Sequence, residues 1–456
     1  MTHQILVPFD GEGAGIGELT WAQRGIWRSI QAQGSSDYLG GGVLLPDGIT
    51  LDQLVMGLRF VLSRHQALRT RLTFGEDGDP RQQVFASGEV VMEIVDAGDR
   101  DAAVVADEVQ NRYESTDFDY AGEWPLRTAA VCRDGKPVYH IVVYSHLVLD
   151  AHGLNALIAD LATMDPVTGE SPGPVTAIQP LAQAAQQSTR AAARQTDAAV
   201  RHWARVLRAA SPVRFAGSAD HREPRYWGMT YFSPAADRAM RAVAARLGTD
   251  TSPVLLAAYA VALARTVSTN PIVLQMAVSN RFRPGCADSV CAVAQASPCL
   301  LDIADNTFDE AVGKAVQAAM TTYLHAYYDP VRRAATVARV NSERGEPIDI
   351  ECYFNDRRDA DRSRDGAPPQ TIAEIEAAVP EHRLSWGPHT SVPQPKLYLN
   401  VNDAAGGVEF TMIADTHHVA PDDMAAIAHT LESVVVDAAR DGTLCTGVTA
   451  VERTTV

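Results

Sequence analysis

A chain of 456 residues exceeds what one hydrophobic core usually supports and predicts two domains. Its 46% apolar content is that of a globular protein, and a formal charge of −17 argues against nucleic acid or an anionic membrane as partner. No run approaches the ~18 apolar residues of a membrane helix, and the start MTHQILVPFDGEGAG lacks a basic and then apolar leader, so a cytoplasmic location is expected.

The six cysteines, Cys132, Cys286, Cys291, Cys299, Cys352 and Cys445, match no zinc spacing and no CxxC pair, and read as reduced, mostly buried thiols. No His/Cys/Asp/Glu cluster has metal-ligand spacing, so no metal is expected. His417 and His418 are adjacent; on a strand they would point to opposite faces, which argues against a shared metal.

In chain order, a helix is predicted from Leu19 to Gln31. Thr50 and Gln53 form a capping box before Leu51, Leu54, Val55, Leu58, Val61 and Leu62, which recur at helical spacing. Arg69 to Phe74 and Gln82 to Phe85 flank Asp77-Gly78 and predict a hairpin. Val138 to Tyr144 reads as a buried strand, and Gly153 to Met164 as the helix after it. Residues 165–180 are rich in Pro, Gly, Ser and Thr and read as a linker. One long helix is expected from Leu181 to Ala210, followed by helices at Ala235 to Leu247 and Pro253 to Ser268. Strands are expected at Ile272 to Val278, Asp349 to Phe354, Lys396 to Val401 and Gly407 to Ala414, and residues 357–370 as a polar mobile loop. Pro421 opens a closing helix that runs to Ala438. Both halves mix helices and strands, which points to an α/β (α+β) protein of two lobes, 1–180 and 181–456.

The segment with chemical content is Ser145-His146-Leu147-Val148-Leu149-Asp150-Ala151-His152-Gly153. A histidine just past a strand end is held by the sheet and opens onto the loop side, and imidazole exchanges protons near neutral pH. HxxxD alone is common, and most single histidines are structural. The chain has no G-x-S-x-G elbow, no phosphate-binding P-loop and no dinucleotide fingerprint, so serine hydrolysis and nucleotide binding lack support.

The HxxxD segment resembles the HHxxxDG signature of the condensation domains of nonribosomal peptide synthetases, members of the chloramphenicol acetyltransferase-like superfamily. Leu19 to Trp27 (LTWAQRGIW) resembles the first motif of that family, Arg64 to Leu72 (RHQALRTRL) the second, and Ser279 to Pro284 (SNRFRP) a Gly/Asn-Arg motif of the second lobe. Tyr327 to Pro330 and Phe410 to His418 are weaker echoes, so the resemblance runs over nearly the whole chain. It implies two chloramphenicol acetyltransferase-like lobes in a V with an active-site tunnel between them. It further implies His146 as the catalytic residue, Asp150 as a structural support paired with Arg281 across the lobes, and Gly153 aiming backbone N–H groups at the site. Arg64, Arg69 and Arg71 are expected to stabilise the fold, Trp21 and Trp27 to lie in the core, and Arg201, Arg205 and Arg208 to form a solvated face open to an acidic carrier protein.

Two positions depart from the signature: Ser145 replaces its first histidine, and Ala151 replaces its glycine. The resemblance implies acyl transfer that forms an amide or ester. The donor would be held on the phosphopantetheine arm of an acyl or peptidyl carrier protein, the acceptor would be a small amine or alcohol, and no cofactor would be tightly bound. No adenylation or carrier signature accompanies it, so a free-standing enzyme is expected. A CoA-dependent acyltransferase of the same fold, and a degenerate domain that recruits another protein, stay open as alternatives.

Overall fold

The computed structural model describes residues 2–76, 78–211, 213–215, 217–358 and 370–450. Asp77 of the expected hairpin turn, and most of the polar stretch expected at 357–370, lie outside them. The contacts divide the chain into two compact units, Met1–Arg194 with Ser279–Gln295, and Gln195–Val278 with Ala296–Val456.

In the first unit a five-stranded sheet runs in the order Thr2–Asp10, Ser87–Asp96, Leu126–Arg133, Lys136–Ser145 and Tyr38–Leu44. Its one parallel pair is Ser87–Asp96 with Leu126–Arg133. The helix Ala102–Glu114 covers one face, where Ala102, Val105, Ala106 and Val109 pack on Ala129, Val131, Ile141 and Val143. Side chains alternate along a strand, so Ile141, Val143 and Ser145 face that helix while Val142, Tyr144 and the next residue on, His146, face the other way. The predicted hairpin forms from Thr70–Phe74 and Pro80–Val84, joined by Gly15–Glu18 in a small separate sheet.

The helix Leu51–Arg64 starts at the Thr50/Gln53 capping box. The first helix begins later than expected, at Trp21, because Thr20 and Gln23 form a second capping box there. The single helix expected from Leu181 to Ala210 is two, Pro180–Gln187 and Arg190–Ala209. Ser188 ends the first by donating its hydroxyl to the Ala184 carbonyl, and Thr189 starts the second by accepting the Ala192 N–H. Adjacent Ser and Thr side chains that bond backbone in this way compete with a continuous helical ladder.

The second unit is built on a seven-stranded sheet, in the order Gln295–Leu301, Ile272–Val278, Cys352–Asp356, Leu397–Ala404, Gly407–Asp415, Tyr226–Ser233 and Arg383–Thr390. Helices Pro234–Leu247, Thr251–Val267, Phe308–Leu324 and Pro421–Arg440 contribute to one large core with it. The strand ends at Asp415, so His417 and His418 lie in a turn and strand alternation does not govern them. Among the described residues no single helix is long and apolar enough to cross a membrane.

The motif helix Ala151–Leu161 is tied to the helix Leu51–Arg64 by charge. Arg64 donates two hydrogen bonds to Asp160, each 2.7 Å, and His65 Nε2 lies 2.8 Å from the same carboxylate. Burial opposes ionisation of Asp160, but Arg64 and His65 outweigh it and hold the carboxyl well below its ordinary value. The contribution is therefore complete above about pH 3.8, the ordinary Asp value, and fades as the pH falls below it. Asp160→Asn is expected to cost about 2 kcal/mol at neutral pH. Urea melts at pH 7 and pH 3 check the source: the deficit should narrow in acid, and equal deficits would exclude the carboxylate.

Candidate active site

His146 follows directly on the strand Lys136–Ser145, and its backbone N–H continues the ladder by donating to the Asp37 carbonyl at 2.9 Å. The loop then folds back, with the Val148 N–H on the Ser145 carbonyl at 3.2 Å. This turn brings the Leu149 carbonyl to 2.6 Å from His146 Nδ1. A carbonyl only accepts, so Nδ1 carries the hydrogen and Nε2 of the neutral ring is the open acceptor. The ring is half-buried, and among the described residues no hydrogen bond occupies Nε2.

Ser145 is fully buried, and its Oγ accepts the Leu147 N–H at 3.3 Å. It lies on the sheet face opposite His146, so the residue replacing the signature histidine shapes the loop from behind. Ala151 is the first residue of its helix and is exposed, in ordinary helical backbone with no left-handed turn to accommodate.

Asp150 caps the helix Ala151–Leu161 and is 3% exposed, which makes its bonding decisive. Oδ1 accepts the Gly153 N–H at 2.7 Å and Arg281 Nη2 at 2.6 Å. Oδ2 accepts the backbone N–H groups of Val293 at 2.7 Å and Ala294 at 2.9 Å. Burial would raise this carboxyl, but Arg281 and the three backbone donors prevail and keep it ionised below its usual range. Arg281 in turn donates to the carbonyls of Cys286 at 3.2 Å, Cys291 at 2.8 Å and Ser289. The cation thus gathers the loop 281–291 around itself.

Two expectations change here. The pair was expected to join two lobes, but Ser279–Gln295 packs with the first unit, so Asp150 and Arg281 meet inside that unit. The segment returns because its own backbone, at Val293 and Ala294, completes the Asp150 shell. Gly153 was expected to start the helix and aim backbone N–H groups at the site, but the helix starts at Ala151 and the Gly153 N–H is taken by Asp150. The glycine is needed for space, since a Cβ would lie 2.7 Å from the Cys291 carbonyl oxygen.

The remaining motif residues have contacts of their own. Arg69 is buried and bonds the carbonyls of Gly11, Glu12 and Phe85, while Arg71 lies 3.9 Å from the Trp124 ring centroid. Trp21 is buried, and Trp27 packs edge-on to Tyr120. Arg205 bonds His202 and Arg208 bonds Glu343, so these two are engaged within their own unit. Sequence reasoning missed Asp37, the cross-strand neighbour of His146. Only the strand register could have revealed it.

The profile of the Condensation domain family matches residues 14–358. The chain is 28% identical over 280 residues to the AMB antimetabolite synthetase AmbB of Pseudomonas aeruginosa, covering 59% of this chain and 22% of that protein. It therefore spans about a fifth of that relative's length. A structure on condensation domain-mediated chain release from the enacyloxin polyketide synthase shares the fold with a TM-score of 0.69 at 19% identity, covering 98% of this chain and 86% of that one. The complex of the X-domain and OxyB from teicoplanin biosynthesis matches with a TM-score of 0.72 at 17% identity, over 96% of both chains.

Removing Arg281 would leave a buried carboxylate short of its cation. Arg281→Ala is expected to cost about 3–5 kcal/mol, against about 0.5 kcal/mol or less for the exposed Arg205→Ala. Equal melting temperatures would rule out the pair as the loop's anchor. Gly153→Ala should also destabilise, by about 1–3 kcal/mol through overpacking, in the same melts.

Proposed function

Because this chain belongs to the condensation-domain family, we propose that it transfers an acyl group at His146, from the phosphopantetheine arm of an acyl or peptidyl carrier protein to an amine or alcohol. The observation that carries this reading is the His146–Leu149 hydrogen bond. It fixes the hydrogen on Nδ1 and leaves the Nε2 lone pair to act as a base.

Nε2 takes the proton of the nucleophile as nitrogen or oxygen attacks the thioester carbon. The tetrahedral intermediate collapses with cleavage of the C–S bond, and the imidazolium returns the proton to the departing thiolate. Asp150 takes no part in the proton transfer, since both its oxygens are occupied by donors. Its role is to hold the loop that carries the ring.

A second reading is a recruitment module. The fold shared with the X-domain of the complex with OxyB favours it.

His146→Gln separates the two. With a matched acyl carrier and acceptor, the variant should lose about 10²–10⁴ in rate with an unchanged melting temperature. Undiminished turnover in the variant would overturn His146 as the base. A wild-type chain that binds a partner enzyme but turns over no acyl carrier would favour recruitment.

A further inference from the structure

We propose that Asp37 makes the His146 site one for an amine acceptor that arrives as an ammonium ion, its carboxylate pairing with that cation beside the imidazole. The proposal rests on the reading of His146 as the base.

The placement follows from the sheet register. Tyr38 pairs with Ser145 in the antiparallel ladder, so Asp37 and His146 are the next pair along. Their backbones are joined by the His146 N–H to Asp37 carbonyl bond at 2.9 Å. Directly opposed residues of antiparallel strands put their side chains on the same face, with Cβ atoms about 5 Å apart. Both side chains are half-buried.

The segment before the strand is fixed. The Ser36 N–H bonds Asp117 at 2.7 Å, and Ser36 Oγ accepts the Tyr120 hydroxyl at 2.8 Å and the Phe118 N–H at 3.2 Å. Asp37 therefore has a defined position, with His146 and Tyr120 as its titratable neighbours. Among the described residues the Asp37 carboxyl feels burial and the charge of His146 and no hydrogen-bond donor. Asp150, at the end of the His146 loop, has both oxygens filled; Asp37, across the ladder from His146, is the acid left for a ligand. Burial pushes the Asp37 carboxyl up, and His146 pulls it part of the way back, which makes Asp37 a better proton acceptor than a solvated aspartate.

Amines and alcohols differ in proton count. An alcohol loses one proton on acylation, and His146 with the departing thiolate accounts for it. An ammonium ion loses two in becoming an amide. One passes to the Asp37 carboxylate and on to solvent, freeing the lone pair. The other leaves as the C–N bond forms, through His146 Nε2 to the thiolate as the C–S bond breaks. The balance is ammonium plus thioester giving amide, thiol and one proton, with no oxidant or reductant.

The full chain labelled with ¹³C at aspartate carboxyls provides the test, the Asp37 signal being the one lost in Asp37→Asn. The probes are glycinamide, an ammonium ion near neutral pH, and its neutral hydroxy counterpart glycolamide, both small enough to enter irrespective of side-chain selectivity. Glycinamide should shift the Asp37 signal saturably at millimolar concentration, more than the signals of other aspartates, and glycolamide should not. A signal that answers to both probes, to neither, or only as much as surface aspartates do would overturn the proposal. The same titration in His146→Gln keeps the two ideas apart. An Asp37 response that persists there supports the ammonium site even if His146→Gln retains acyl transfer, and its absence in wild type refutes the ammonium site even if His146→Gln is inactive.

Discussion

The site depends on a single desolvated carboxylate. Asp150 begins the helix after the histidine loop, and its two oxygens collect Arg281 and three backbone N–H groups. An isolated charge at 3% exposure would be forbidding. Here every direction of approach is taken by a donor, and the ionised form is the one the surroundings favour. The arrangement fixes the C-terminal end of a five-residue loop whose N-terminal end is fixed by the sheet. Between those two anchors the Leu149 carbonyl reaches His146 Nδ1. The orientation of the imidazole is thus set by backbone, and the backbone is set by Asp150.

Asp37 and Asp150, placed at the two ends of the His146 loop, illustrate how placement decides chemistry. Asp150 is saturated by donors and held as a carboxylate below its ordinary range. Asp37 has burial without compensating donors and moves the opposite way. The first can only organise structure; the second can exchange a proton or meet a cation. Nothing in the residue type separates them, and only one belongs to a sequence signature.

That difference explains what the sequence made legible. Local rules identified the Thr50/Gln53 cap, the hairpin strands, and the strand–loop–helix around His146, because each is written in neighbouring residues. Motif resemblance brought Asp150 and Arg281 together, but could not say that Ser279–Gln295 packs with the first unit, since no local signal marks a returning segment. The strand Tyr38–Leu44 carries Gly40, Gly41 and Gly42, a residue type that weakens strand interiors, so no local signal marks it. The segment pairs with Lys136–Ser145, and Gly40 is required there because it sits at φ +100°, where an added Cβ would lie 2.2 Å from the Val142 carbonyl oxygen. With that strand unseen, Asp37 had no visible partner.

The departure at Ser145 has a meaning in this frame. The position alternates with His146 and faces the packed side of the sheet, where it is fully buried. A histidine there would have to bury an imidazole; serine fills the space and satisfies the Leu147 N–H in the turn that follows. Its replacement therefore bears on the shape of the loop, not on a second basic group beside the first. The ring of His146, its hydrogen on Nδ1 and its open Nε2 are all defined without the side chain at 145. Ala151 is likewise exposed in regular helix, away from the buried contacts that demand a glycine. The glycine this loop does require is Gly153, because the Cys291 carbonyl closes over it as Arg281 draws the returning segment in. The conformational demand of the signature thus falls at the third helical residue, where the Asp150 shell is assembled.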